Sequence, residues 1–378
     1  MAIKDKMLWW FVKNIIMSRN EIIDKPGFII LKITERTKIV NVREIVLPES
    51  LFSELEKSVV KKYGAKGRQA LYSAGKKFGY RFALISKYPK AANEKDFSQF
   101  SYFLVRYLES IYARRIEHKI DFAEHKFVFN ANNWIVCNKN GIGLLLFDGT
   151  GAGMVAYAFD DPSIEGVQSK CEGRGDDHCE LVCAPDTYLR NNGLKFHSER
   201  SLSGLDVSAD RYNSINMART ARYASNSFRM LIDGGFIKYS EGTMSINGER
   251  FLIIESSLMY ILENELKTID KDDGVLWDAS MEWGRSFSAR FGKQSPCKFI
   301  NDLFPGLGFG DFFAVTENGK YKVSVGFFPW TKWAGDCEFV MFRGMISGII
   351  SGLAGKKIEL KKIRKTVSSS GFSMVLEE

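Results

Sequence analysis

The feature that most restricts the fold is a pattern that occurs twice. Residues 69–79 read QALYSAGKKFG and residues 274–284 read GVLWDASMEWG. Each has an apolar pair, a spacer, and an aromatic residue followed by Gly. Tyr72 aligns with Trp277, Phe78 with Trp283 and Gly79 with Gly284. Upstream, LPESLFSELE resembles IIESSLMYILE (253–263); downstream, LLLFDGTGAGM (144–154) resembles FVMFRGMISGI (339–349). The offset is about 205 residues in the first block and about 195 in the last, so three blocks recur in one order. Two diverged copies of one domain follow, at 20–185 and 233–378.

Each copy opens with short strands, FIILKITE (28–35) and KIVNVREIVL (38–47), then FIKYSE (236–241) and RFLIIE (250–255). Helices are expected near 50–62 and 67–85, then near 256–268 and 274–291. A further helix near 98–112 or 296–303 leads to a hairpin. In the second copy that hairpin is plain: DFFAVTENGKYKVSVGFF (311–328) sets Asn-Gly between alternating apolar residues. A Gly-rich helix and a final strand close each copy. Interleaved helices and antiparallel hairpins define an α+β class. Between the copies, 186–232 reads as a polar linker, with a connecting helix expected in 209–235 that ends at Gly-Gly.

At 378 residues the chain has room for two domains, and 45% hydrophobic with 26% charged residues excludes a disordered or low-complexity protein. The net charge of +8 is spread thinly. Two clusters, Lys57, Lys61, Lys62, Lys66, Arg68 and Lys356, Lys357, Lys361, Lys362, Arg364, Lys365, read as solvated faces. Direct nucleic-acid binding is not expected. Six cysteines are too few for a disulfide scaffold and no signal peptide is apparent, so a cytoplasmic location is expected. Residues 1–19 carry an amphipathic segment, MLWWFVKNIIM (7–17), with Leu8, Phe11, Val12, Ile15 and Ile16 at helical spacing. It packs on the body or a dimer partner, or it touches a membrane surface through Trp9 and Trp10.

GTGAG (149–153) does not match a nucleotide-binding loop, being neither G-x-G-x-x-G nor G-x-x-x-x-G-K-[ST]. The recurring G-x-x-x-G, Gly149/Gly153 and Gly344/Gly348, instead fits a helix that admits close approach by another element. H-E-x-x-H and G-x-S-x-G are absent, so no catalytic residue is assigned. Cys171 and Cys179 flank a Gly-Asp turn in CEGRGDDHCEL (171–181), where two thiolates can converge on one ion. The alternative is a pair of reduced buried thiols. The second copy has RKTVSSSGFSM (364–374) in that place, without Cys or His.

These segments, LYSAGKKFG with LWDASMEWG, the FDG/FRG start of the Gly-rich helix, and CEGRGDDHCEL, resemble the 4-vinyl-reductase (hydrocarbon-binding) domain family. Copy one matches all three and copy two the first two. The resemblance implies a fold shared with TRAPP vesicle-transport subunits, pairing through helices, and a hydrophobic pocket. Two tandem copies would form an intrachain pseudo-dimer. The resemblance also implies zinc at the cysteine segment. The family places an acidic residue three before the first Cys, whereas this chain has Gln168. Cys137 and Cys183 are the candidates to join Cys171 and Cys179, with His178 and Glu165 as alternatives. Phe100, Phe103, Tyr107, Tyr112 and Trp134 are the candidate pocket lining, against the simpler reading of aromatic core. The function expected is a non-catalytic binding protein or sensor for a small hydrophobic or aromatic ligand. The alternatives are a TRAPP-type interaction scaffold, with a protein partner or homodimer, and a transcription regulator acting through a partner.

Overall fold

The computed structural model describes residues 20–35, 38–134, 141–202, 221–240, 243–271, 274–329, 337–368 and 371–378. The amphipathic segment 7–17 and residues 209–220 of the expected connecting helix lie outside the described residues; of the remainder, 221–235, only Phe228–Asp233 is helical. The architecture is α+β with antiparallel sheets. The chain divides into two compact units, the first centred on Phe52–Val207 and the second combining Glu21–Leu51 with Ser245–Glu378.

The chain opens with β1 (Asn20–Lys25), β2 (Phe28–Glu35) and β3 (Lys38–Pro48). β2 and β3 pair antiparallel from Ile29↔Glu44 to Glu35↔Lys38. Phe28, Ile29, Ile30, Val42, Ile45, Val46 and Leu47 are all buried, on both faces of the sheet. That explains why these strands read as nearly continuous apolar runs rather than alternating ones.

Unit 1 is built on α1 (Glu49–Ile85), which bends at Gly64 (φ 55°, ψ −125°) into the two helices that the sequence predicts. There follow α2 (Glu94–Ile111), β4 (Arg115–Asp121), β5 (Lys126–Asn132), α3 (Leu145–Phe159), β6 (Ile164–Lys170), β7 (Cys179–Pro185) and the single-turn α4 (Asp186–Asn191). Asn93 caps α2, its side chain accepting from Asp96 N at 3.0 Å. The sheet runs β4-β5-β7-β6, every pair antiparallel. Helix α3 crosses α1 backbone to backbone. A Cβ on Gly149 would overlap the Tyr72 carbonyl oxygen, and one on Gly153 the Lys76 carbonyl oxygen.

After α5 (Phe228–Asp233) of unit 2 come β8 (Lys238–Ser240) and β9 (Thr243–Ile246), of which Tyr239–Met244 group with unit 1; unit 2 continues with β10 (Glu249–Glu255), α6 (Ser257–Lys267), α7 (Gly274–Ser288) and α8 (Pro296–Leu303). It ends with β11 (Asp311–Glu317), β12 (Lys320–Gly326), α9 (Val340–Ala354), β13 (Lys362–Ser368) and β14 (Gly371–Glu377). The Asn-Gly hairpin is as expected, with Asn318 at φ 51° and Gly319 at φ 77°, the two left-handed positions of a type I′ turn. The sheet runs β11-β12-β14-β13, the same order as in unit 1. Helices α7 and α9 repeat the crossing at aligned positions. A Cβ on Gly348 would overlap the Met281 carbonyl oxygen, and one on Gly344 would press on that of Trp277.

Grouping 20–185 by chain order would assign β1–β3 to unit 1, but their partners are in unit 2. β3 pairs with β10 from Pro48↔Phe251 to Glu44↔Glu255. Arg43, 0% exposed, fixes the seam by donating to Gly27 O at 2.7 Å and Gly308 O at 2.9 Å. Its guanidinium lies 4.4 Å from the centre of the Phe28 ring. A chain-order rule cannot anticipate this, because strand pairing over such a separation leaves no local signal.

Candidate functional site

The site is built around the N-terminus of α3 in unit 1. Four orphan N–H groups open any helix. Here the Glu56 carboxylate, buried on α1, accepts from Leu145 N at 3.3 Å and Leu146 N at 2.9 Å. Burial pushes Glu56 up to about 8, despite those two bonds. Asp148 in the first turn of α3 is also raised well above the carboxylate range, by burial first and by Glu56 second. Unit 2 repeats the cap: Glu263 of α6 accepts from Glu338 N at 2.7 Å and Val340 N at 2.8 Å at the start of α9. The surroundings differ in sign. Glu263 is paired with Lys267 at 3.1 Å, and Arg343 stands where unit 1 has Asp148.

Aromatic rings wall the unit 1 site. Tyr112 lies 6.1 Å from Trp134 and 6.2 Å from Phe147 between ring centroids. Phe129 lies 5.2 Å from Trp134, and Phe52, one turn before Glu56, lies 6.1 Å from Phe147. All five rings are buried. Phe100 lies apart from them, stacked on Phe97 at 6.2 Å and edge-on to Tyr88 at 5.7 Å, which is ordinary core packing. The side chains of Phe103 and Tyr107 are outside the described residues. The structure therefore brings together two of the five residues proposed from sequence, Tyr112 and Trp134. It adds Phe52, Phe129 and Phe147, none of them proposed from sequence as lining.

The cysteine segment folds as a tight turn. Cys171 N donates to Asp176 Oδ2 at 2.7 Å, and Cys171 O accepts from Arg174 N at 2.9 Å. Cys179 Sγ accepts from Glu172 N at 3.4 Å, which places it beside the residue following Cys171. Both thiols are buried. Cys183 stands four residues further along β7, about 13 Å from Cys179 at strand spacing, so one ion cannot reach both. Instead it packs near Gly151, and burial pushes its thiol upward. His178 turns to Asp177 at 2.6 Å, and Cys137 lies outside the described residues. Gln168 Oε1 accepts from Leu144 N at 3.0 Å, just before α3. Among the described residues no three His, Cys, Asp or Glu side chains converge.

Glu165 proves to belong to a network that the sequence did not reveal. Its Oε2 lies 2.8 Å from Lys76 Nζ, and both side chains are 0% exposed. Tyr72 Oη donates to the same oxygen at 2.6 Å and accepts from Gly166 N at 2.8 Å. Ser198 Oγ and Glu199 N donate to Oε1 at 2.9 and 3.1 Å, and the His197 ring lies 5.6 Å from Tyr72. Burial lowers Lys76 and raises Glu165, each countered by the other. The sequence gives little hint of this network: Lys76 follows Tyr72 by one helical turn, on a face that also carries Gln69 and Ser73.

An open groove of about 540 Å³ also lies in unit 1, lined by Glu124, His125, Thr187, Tyr188, Asn191 and Asn192 among others. None of the residues proposed from sequence for ligand binding lines it. No helix among the described residues is long and apolar enough to cross a membrane. No family model matches the chain, and no curated protein matches it. Among solved structures the chain is similar to the phenol-responsive sensory domain of the transcription activator PoxR, crystallised with phenol. The identity is 17%, over 49% of this chain and 91% of that one, with a TM-score of 0.34.

Proposed function

We propose that unit 1 is a non-catalytic binding or sensor module for a small hydrophobic or aromatic molecule. The observation that carries this reading is the aromatic wall of Tyr112, Trp134, Phe129 and Phe147 around the Glu56 cap. A carboxyl held neutral by burial suits an apolar body with one polar head, since a charge there would have to be desolvated. The same crossing and the same sheet order in unit 2 support reading the chain as a tandem duplication of a 4-vinyl-reductase-type domain, its second copy having lost the site. The test is thermal unfolding with toluene, phenol and dodecanoate, on the wild type and on Trp134→Leu. At least one ligand should raise the wild-type midpoint and not the variant's. No rise with any of the three, or an equal rise in the variant, would overturn the reading.

Zinc at Cys171 and Cys179 is a further part of this proposal. Among the described residues Cys179 Sγ lies 3.8 Å from Glu172 Oε2, a pair well short of a tetrahedral set. Cys137 would have to complete it. Elemental analysis of wild type and of a Cys171→Ser/Cys179→Ser variant decides: equal zinc in both, or none in the wild type, removes the metal from the proposal.

A further inference from the structure

Unit 2 contains a second acidic feature, unrelated to the ligand site. Glu44 on β3 and Glu255 on β10 stand directly opposite each other in the antiparallel ladder. Directly opposed residues share a face of the sheet, with Cβ atoms about 4.5–5.5 Å apart. Glu44 is 4% exposed and Glu255 3% exposed. Among the described residues neither carboxylate oxygen of Glu44 has a hydrogen-bond partner. This is unusual, because a buried polar group normally pairs and an ionised one must. Burial, with Glu255 as the second cause, raises Glu44 well above the carboxylate range.

The neighbours of the pair are oxygen-rich. Glu255 Oε1 accepts from Ser257 N at 3.1 Å and Ser256 Oγ at 3.3 Å, and its Oε2 accepts from Ser257 Oγ. The basic side chain adjacent in sequence, Arg43, projects from the opposite face of β3, where its Nε and Nη2 donate to the carbonyls of Gly27, Gly308 and Phe327. None of these bonds goes to the pair. Two opposed carboxylates, one with both oxygens bare, and two hydroxyls form a donor set of hard oxygens.

We propose that Glu44 and Glu255, with the hydroxyls of Ser256 and Ser257, form a closed site for a hard divalent cation of calcium size. Calcium takes six to eight oxygens at about 2.3–2.6 Å in irregular geometry, which suits a set drawn from a strand pair and a helix start. A dication neutralises both carboxylates and gives the Glu44 oxygens the partner they lack. It also joins β3 to β10 where the sheet depends on residues far apart in the chain.

The test uses the full-length protein after chelator treatment and dialysis. Calcium chloride is titrated while the thermal midpoint is followed, and bound calcium is measured by equilibrium dialysis. The expected result is a saturable rise in midpoint with one calcium bound, absent in Glu44→Gln. Glu44→Gln keeps the shape of a neutral carboxyl and should fold, which circular dichroism checks; Glu255→Gln serves as a second variant. The proposal is overturned if calcium neither binds nor stabilises, if Glu44→Gln responds like the wild type, or if potassium chloride at equal ionic strength does the same. Without a calcium response, stability that falls as pH rises would mean that the pair merely shares a proton.

Discussion

Replacing Gly153 by Ala should disrupt unit 1 although Ala is the better helix former. A Cβ at 153 would overlap the carbonyl oxygen of Lys76 and crowd Tyr80 N at 2.6 Å. Both are backbone atoms of α1, so no side chain can swing aside, and the two helices must separate. Overpacking costs about 1–3 kcal/mol and more against rigid neighbours, while Ala returns about 1 kcal/mol of helix propensity. The net expectation is about 2 kcal/mol of destabilisation, or a fall of about 4–8 °C in the midpoint for a unit of this size. Gly274→Ala is the control, since a Cβ there meets nothing within 4 Å and the position needs no left-handed backbone. Thermal unfolding by circular dichroism, with both variants measured beside the wild type, is the assay. A Gly153→Ala protein as stable as the wild type would refute the close crossing, and with it the structural reason for the G-x-x-x-G repeat.

Glu56 gives a prediction about pH. Its folded value of about 8 exceeds the ordinary carboxylate value of 4.5, so the folded state holds a proton that the unfolded chain releases. The stabilisation is complete below about pH 4.5 and is lost as pH rises towards about 8, on the order of a few kcal/mol. Denaturant titrations between pH 5 and 8 should show a steeper decline for wild type than for Glu56→Gln; parallel curves would contradict the assignment. Lys76→Met should cost about 3–5 kcal/mol by stranding the Glu165 charge in the core, and Lys76→Met/Glu165→Gln should recover at least half of it. Strictly additive losses in urea unfolding would show that the 2.8 Å pair is not coupled.

What could be read from the sequence was whatever repeats or alternates locally. The helix pair around Gly64, the α8 bounds, the Asn318–Gly319 hairpin and the two Gly-rich helices all have short-range causes: turn chemistry, helical spacing, small residues at a crossing. Strands β1, β6, β9 and β13 left no comparable mark, since each is short or flanked by residues common in loops. The site was half visible. Tyr112 and Trp134 stand out by type, but Glu56 looks like any surface acid of an amphipathic helix. Only the fold shows that it meets the start of α3, 89 positions away. Lys76 and Glu165 were hidden for the same reason, a charge being legible as buried only once its partner is in place. Gln168, at the position where the resembling family has an acid, accepts from Leu144 N just before α3, a contact with no signal in the sequence.

The pairing of β3 with β10 also sets a schedule for synthesis. A ribosome releases β1–β3 first, yet the strand that satisfies the free edge of β3 follows about 200 residues later. At about 5–20 residues per second that is a delay of about 10–40 s. During that interval unit 1 can be completed, while an apolar three-stranded ribbon waits with its hydrogen-bonding edge open. Such an edge invites pairing with other chains. The nascent chain is therefore most exposed to misassembly along β3, and slowing translation within residues 52–207 should lengthen that exposure without altering the finished fold.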